Sequence, residues 1–430
     1  MLPAFTLAFA VLARILCVGD SHGVGVLGAS GRGSLEHWGV EGGEAFPRRD
    51  PLQGVIVFRG GDGMRIVKVT VYKADIPLVA PFRIALGVTE VAENFFVRID
   101  TDEGIHGWGE GSPFPPIVGE TQAICLAAAR DMARLLIGKD PLDVEARVRE
   151  ISSFLPHNTT TRSAFDMALY DILGKAAGLP LYRLFGGSPR ELLTDDTIGI
   201  DTPAAMAEKA VKFKEEGFPA IKVKLGTTPE EDIERVKRIR EAIGEGIPIR
   251  VDANQGWDLT AAVEALTGIE GFGVQYCEQP VAAGDLDSMR AVRERARIPI
   301  MADESLFDVY DALRLVKEEA CDYFNIKLSK SGGLHMALRI AAVAKAARMA
   351  CMVGCMSETR LALTAAAHLA SARPIIRFLD LDSALTHTVD PIVGGMEYGE
   401  GGRIILPDGP GLGAEVDPAF LGKCESFTVS

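Results

Sequence analysis

Paired cysteines are missing from this sequence. No two of its seven cysteines are separated by only two residues, and they lie at Cys17, Cys125, Cys277, Cys321, Cys351, Cys355 and Cys424. An odd, scattered set excludes a disulfide framework and a CxxC zinc or redox motif. We therefore expect a reduced, cytoplasmic protein whose cysteines pack as small apolar side chains.

Positive charge is also in short supply. Forty-five lysines and arginines face 59 acidic residues, which gives a formal net charge of −14. This balance excludes nucleic acid as the main partner. It does not exclude an anionic small substrate, because a local cluster of charge or a metal ion can override the global field. We expect a small-molecule substrate, with neither nucleic acid nor membrane as partner.

Long apolar runs are absent apart from residues 1–18, "MLPAFTLAFAVLARILCV", which Arg14 interrupts. That run is marginal for a membrane span and lacks the basic start of a signal peptide. The following "GVGVLG" matches a dinucleotide-binding glycine pattern, but glycines break the stretch where a helix should follow. We predict that residues 1–63 are a leader or appendage outside the fold.

The remaining chain contains two kinds of pattern. Residues 64–188 first alternate apolar and polar residues and then become helical, which predicts an α+β capping domain. From 189 to 405, short apolar runs and amphipathic stretches alternate at least seven times, which predicts a (β/α)7β barrel of the TIM type. Residues 406–430 are predicted to return to the capping domain. An open doubly wound sheet is the alternative for the repeating part.

Polar residues recur at the ends of the predicted strands of the repeating part. They stand 24 to 28 residues apart, at Lys224, Asp252, Glu278, Asp303, Lys327, Cys355 and Asp380. One β/α unit of a barrel has about this length, and the carboxyl ends of barrel strands meet at one mouth. An open sheet would not bring these strand ends around one point, so the spacing favours the barrel.

Three consecutive strand ends carry carboxylates, at Asp252, Glu278 and Asp303. If they converge, their repulsion calls for a cation, and oxygen ligands favour Mg²⁺. Lys224 and Lys327 stand one strand before and one strand after the trio. Two lysines with lowered pKa values on opposite sides of a metal-bound carboxylate could remove a proton from one face of an α-carbon and return it to the other.

The segments "IKVKLG", "VDANQGW", "CEQP", "ADES" and "NIKLSKSGG" resemble, in this order and spacing, the enolase superfamily and its muconate lactonizing enzyme subgroup. The resemblance covers about residues 64 to 425. It implies one Mg²⁺ per subunit on Asp252, Glu278 and Asp303, an enediolate intermediate, and an acid/base pair formed by Lys224 and Lys327. We also expect a homo-oligomer. The mandelate-racemase branch would have a histidine base on the seventh strand, and "MVGCMSE" contains none.

The segment "FLDLDSAL" is similar to that of dipeptide epimerases such as the L-Ala-D/L-Glu epimerases. By this resemblance, Asp380 and Asp382 hold the free ammonium of a dipeptide whose C-terminal residue is epimerised. The same match gives Lys222 a place beside the enolate oxygens and Asn254 a role in orienting the metal ligands, and it does not make Lys330 the base. It gives further substrate contacts to Thr197, Cys355 and Ser357.

Specificity is where the sequence departs from the Ala-Glu pattern. Gly87 stands where that pattern has a basic residue, and Arg83 lies earlier in the chain. The loop "GSPFPPIVGET" carries Phe114 and Ile117, which favours an apolar second residue. Alternatives on the same scaffold are an N-acylamino-acid racemase, an o-succinylbenzoate synthase and a muconate-type cycloisomerase, whose substrates lack a free ammonium. A barrel without activity, used for binding or assembly, is a further alternative.

Overall fold

The computed structural model describes residues 63–430, so the predicted leader or appendage lies outside the described residues except for Gly63. Within this range no helix combines the length and apolarity needed to cross a bilayer. A capping domain and a barrel, both built from these residues, place the candidate site between them.

The capping domain contains an antiparallel four-stranded sheet. Its strands are β1 (Ile66–Ile84), β2 (Gly87–Thr101), β3 (His106–Gly111) and β16 (Ser426–Val429), in the order β16-β1-β2-β3. The C-terminal strand thus pairs with the first one. The far end of the β1–β2 ribbon reaches the barrel, since Ile200 N donates to the carbonyl of Arg83 at 2.8 Å.

Five helices belong to the capping domain: α1 (Pro115–Val118), α2 (Gln122–Leu136), α3 (Val144–Phe154), α4 (Thr159–Ala177) and α5 (Leu181–Leu184). Helix α4 is buried along most of its length and packs on β3. Gly107 and Gly109 of β3 make this possible, because a Cβ at either position would collide with a backbone carbonyl of α4. The alternating glycines of "HGWGEG" are therefore a packing feature.

Eight parallel strands follow, and each hydrogen-bonds to the next in chain order. They are β4 (Asp196–Ile198), β5 (Ile221–Lys224), β6 (Ile249–Asp252), β7 (Val274–Glu278), β8 (Ile300–Ala302), β9 (Tyr323–Ile326), β10 (Ala350–Val353) and β11 (Ile376–Leu379). Their crossovers contain α6 (Pro203–Glu215), α7 (Pro229–Ile243), α8 (Leu259–Ile269), α9 (Leu286–Arg295), α10 (Val309–Lys317), α11 (Leu328–Ser331), α12 (Leu334–Ala347) and α13 (Arg360–Ala372). After the barrel come β12 (Ile392–Gly394), β13 (Glu397–Tyr398), β14 (Ile404–Ile405), β15 (Ala414–Val416) and α14 (Pro418–Leu421).

The sheet curls until its first and last strands meet. Asp195 N, just before β4, donates to the carbonyl of Leu379 in β11 at 3.3 Å. An interior layer of large side chains fills the barrel, formed by Tyr276, Met301, Tyr323, Met352 and Phe378. The carboxyl ends of all eight strands therefore surround one mouth. The predicted (β/α)7β barrel with an α+β cap is confirmed.

Candidate active site

The three predicted carboxylates come together at the barrel mouth. Asp252 ends β6, Glu278 ends β7 and Asp303 follows β8, and one oxygen of each lies within 4.8 Å of the others. All three side chains are fully buried. The turn after β6 contributes the Asn254 backbone N–H, which donates to Asp252 Oδ1 at 2.9 Å.

The two predicted lysines stand at either end of this trio. Lys224, at the end of β5, places Nζ 2.6 Å from Asp252 Oδ2. Lys327, after β9, places Nζ 2.8 Å from Asp303 Oδ2. Both line one cavity of about 340 Å³. Because β5 and β9 lie on opposite sides of the three carboxylate-bearing strands, the sheet order itself brackets the trio with amines.

Lys222 links the trio to the acidic pair after β11. Its Nζ lies 2.6 Å from Asp380 Oδ2, 2.8 Å from Glu278 Oε2 and 3.5 Å from Asp252 Oδ2. The side chain is fully buried, so these contacts replace its hydration. Lys222 and Lys224 alternate with apolar residues on β5, and this period of two sends both ammonium groups into the barrel.

The buried acids have lysine partners within the protein itself. Burial and the nearby Asp252 raise the pKa of Glu278 to about 8. Burial opposes ionisation of Asp303 as well, but Lys327 and Lys330 hold the pKa of Asp303 well below its usual range. Burial lowers the pKa of Lys327, but its contacts with Asp303 and Glu278 outweigh burial, so the pKa of Lys327 is raised.

The acidic pair is also at the mouth. Asp380 and Asp382 lie with Cys355 in a buried cluster whose ligand atoms are within 4.8 Å of one another. Thr197 Oγ1 donates to Asp380 Oδ1 at 3.3 Å, and the Cys355 thiol donates to Asp382 Oδ1 at 3.6 Å. Burial and the neighbouring Asp380 raise the pKa of Asp382 to about 7. Within residues 63–430 no lysine or arginine forms an ion pair with Asp382, whereas Lys222 pairs with Asp380.

The remaining sequence-predicted residues fall in different places. Ser357 lines the 340 Å³ cavity, and so does Asn254, whose Nδ2 donates to Glu304 Oε1 at 3.2 Å. Lys330 is buried against Asp303 and does not line that cavity. Gly87 and Arg83 line a neighbouring cavity instead.

The sequence analysis did not identify two residues that support the site through hydrogen bonds. Asn325 Nδ2 donates to Glu278 Oε1 at 2.7 Å, and Asn325 stands two residues before Lys327. The period of two along β9 could have revealed it. No local pattern marks Glu110, which joins the cap to the barrel by accepting hydrogen bonds from Thr359 N, Thr359 Oγ1 and Ala362 N at 2.8, 2.8 and 3.0 Å.

Replacing Glu110 should destabilise this junction. Glu110 caps α13, which begins just after the site loop that carries Ser357, and it also accepts from Asn94 Nδ2 at 2.9 Å. Glu110→Ala would leave buried donors unpaired, and we expect a loss of about 3 kcal/mol in the free energy of unfolding. Urea denaturation at pH 7 measures it, with Glu103→Ala, on an exposed turn, as control. Equal stability of the two variants would contradict the assignment.

Two known domain families match this chain, one in the capping domain and one in the barrel. Residues 66–186 match the mandelate racemase / muconate lactonizing enzyme N-terminal domain, and residues 205–420 match the enolase C-terminal domain-like family. With the barrel and its carboxylate trio in place, the chain belongs to the mandelate racemase / muconate lactonizing enzyme group of the enolase superfamily. The predicted superfamily is confirmed.

Individual relatives narrow the class further. The chain is 42% identical to a D-Ala-D/L-Ala epimerase of Cytophaga hutchinsonii, over 85% of this chain and 100% of the relative. It is also 42% identical to a hydrophobic dipeptide epimerase of Enterococcus faecalis, over 81% and 99%. An L-Ala-D/L-Glu epimerase of Clostridium acetobutylicum is 39% identical over 82% and 99%. These relatives confirm the predicted isomerase class, but at similar identity they act on different dipeptides.

Solved structures show the same similarity. The Cytophaga hutchinsonii dipeptide epimerase, complexed with Mg and D-Ala-L-Val, superposes with a TM-score of 0.84 at 42% identity, covering 85% of this chain and 100% of that one. The Enterococcus faecalis dipeptide epimerase, complexed with Mg and L-Leu-L-Tyr, gives a TM-score of 0.80 at 41% identity, covering 82% and 99%.

Proposed function

We propose that this protein is a Mg²⁺-dependent dipeptide epimerase that inverts the α-carbon of the C-terminal residue. The observation that carries the proposal is the arrangement at the barrel mouth. Three buried carboxylates stand between two lysines, and a separate acidic pair lies next to them. The relatives that bind Mg and dipeptides support the same assignment.

The trio fits a magnesium ion. All three donors are carboxylates, the ligand type that Mg²⁺ prefers. Glu278 Oε2 and both Asp303 oxygens are buried without a well-aligned hydrogen bond, although ammonium nitrogens lie at ion-pair distance. Asp252, Glu278 and Asp303 would hold the ion. When bound, it would supply positive charge that stabilises the negative charge developing on the substrate carboxylate.

The lysines would carry the proton. With the substrate α-carbon between them, Lys224 Nζ accepts the α-proton from one face and Lys327 Nζ donates a proton to the other, and the roles exchange in the reverse direction. Lys222 would keep a positive charge between Glu278 and Asp380 throughout the reaction.

The acidic pair would bind the substrate ammonium, with unequal roles for its members. Asp380 is paired with Lys222 and Thr197, so its charge is largely neutralised. Asp382 has no lysine or arginine partner among residues 63–430, and its side chain contacts the Thr197 hydroxyl and, at 3.6 Å, the Cys355 thiol. We therefore assign the ammonium contact chiefly to Asp382, and Asp380 to the positioning of Lys222.

A free amino terminus should matter to this enzyme. We expect kcat/KM for an N-acetylated dipeptide to be roughly 10- to 100-fold below that of the free dipeptide, since a charge-assisted contact is lost. Asp382→Asn should lower kcat/KM for the free dipeptide and leave that for the N-acetylated dipeptide unchanged, so the difference between the two substrates should become smaller. Chiral chromatography of both substrates measures it. Equal turnover of both substrates by the wild-type protein would favour an N-acylamino-acid racemase instead.

A further inference from the structure

Two of the cavities at the barrel mouth contain the predicted site residues, and they differ in size and in lining. The larger, of about 340 Å³, contains Lys224 and Lys327, so the reacting α-carbon belongs here. The smaller, of about 50 Å³, contains Asp380 and Asp382. They share Lys224 and the loop that carries Ser357, so one molecule can extend from one cavity into the other.

The larger cavity has an apolar wall. This wall comes from the capping domain. The β1–β2 ribbon contributes Phe82, Ile84 and Val88, and the segment after β3 contributes Phe114 and Ile117. The only basic side chains among its described lining residues are the two lysines, and each faces a carboxylate of the trio. Glu90 and Glu93 stand exposed at its rim. Inside this cavity a negative side chain would find no cation that is free of a carboxylate partner, because Arg83 lines the neighbouring cavity instead.

The smaller cavity limits the other end of the substrate. Leu78, Phe82 and Thr386 close it beside the acidic pair. At about 50 Å³ it has room for an ammonium group and a small side chain only. A branched or aromatic N-terminal side chain would have to displace the β1 segment that contains Leu78.

We infer, resting on the proposed function, that the substrates are dipeptides with a small N-terminal residue and an apolar C-terminal residue. The cavity next to the acidic pair sets the first residue, and the apolar wall sets the second. This excludes Ala-Glu as the preferred substrate. It also excludes a cationic second residue, because Glu90 and Glu93 lie at the solvent edge and the wall between them and the lysines is apolar.

The test uses the full chain with Mg²⁺ and follows α-deuteration in D₂O by mass spectrometry. The probes are L-Ala-L-Leu, L-Ala-L-Phe, L-Ala-L-Glu, L-Ala-L-Lys and L-Leu-L-Leu. We expect kcat/KM for Ala-Leu and Ala-Phe to exceed that for Ala-Glu and Ala-Lys by about 100-fold, and Ala-Leu to exceed Leu-Leu by about 10-fold. Equal or faster turnover of Ala-Glu, Ala-Lys or Leu-Leu would overturn the inference. Exchange with no dipeptide at all would instead overturn the proposed function.

A charge introduced into the wall gives an independent check. Val88 is 46% exposed and lines the larger cavity, so Val88→Arg should fold. We expect it to raise kcat/KM for Ala-Glu and to lower that for Ala-Leu, each by about 10-fold. The control is Val79→Arg, on the same ribbon, 66% exposed and outside both cavities. An unchanged preference in Val88→Arg would contradict the assignment of the wall.

Discussion

Lys327→Ala and Lys224→Ala should each lower the rate of epimerisation by about 100- to 10,000-fold, because general acid–base catalysis by a positioned group contributes that much. Each variant keeps one of the two amines. It should therefore still exchange the α-proton of one epimer with D₂O, and the two variants should act on opposite epimers. Nuclear magnetic resonance of each pure epimer in D₂O measures this separation.

Controls must show that the lower rate of the lysine variants is not caused by unfolding of the protein. Lys327 and Lys224 each pair with a buried carboxylate, so thermal unfolding must be recorded with Mg²⁺ present. Methionine at each position retains the length of the side chain if alanine proves unstable. Lys345→Ala, on the exposed face of α12, should leave the rate unchanged. Folded variants that epimerise at the wild-type rate would refute the two-base assignment.

Removal of the metal should lower the rate of epimerisation by at least about 1,000-fold. The protein should nevertheless stay folded. The reason lies in the charge balance of the site. Four carboxylates at the barrel mouth, those of Asp252, Glu278, Asp303 and Asp380, have lysine partners among Lys222, Lys224, Lys327 and Lys330. We expect the melting temperature to fall by less than about 10 °C after chelation, and added Mg²⁺ to restore activity.

Metal content and calorimetry make this test decisive. Asp303→Asn should bind Mg²⁺ too weakly for titration calorimetry and should not recover activity on addition of the ion. Asp287→Asn, an exposed acid at the start of α9, serves as the control and should behave as the wild type. Full turnover by protein in which mass spectrometry detects no metal would refute the role of the trio.

Much of the site could be predicted because barrel strands recur at a regular spacing. A lysine or acid at the end of every β/α unit, 24 to 28 residues after the previous one, must reach the common mouth once the sheet closes. Asp252, Glu278 and Asp303 meet there as predicted. The alternation along β5 likewise predicted that Lys222 and Lys224 point the same way. Both inferences depend on periods that local backbone geometry imposes.

The pairing of charges could not be predicted in the same way. Spacing predicts that the carboxylates and lysines meet at one mouth, but it does not predict that the carboxylates also pair with lysines, as Asp303 does with Lys327. Lys222 and Asp380 are 158 residues apart in the chain, yet their charged atoms are 2.6 Å apart. Coulomb energies change steeply over such distances, so ion pairs follow from atomic positions rather than from order in the sequence.

By itself, then, the sequence determined the architecture and the order of the acidic and basic side chains around the mouth, because these follow from short-range periodicity repeated along the chain. Only the tertiary structure decided which acid faces which amine, that Glu110 joins the cap to the barrel, and how large the two cavities are. Those properties arise where segments that are far apart in the sequence pack against one another, both between barrel strands and where the β1–β2 ribbon and the loop containing Phe114 cover the mouth.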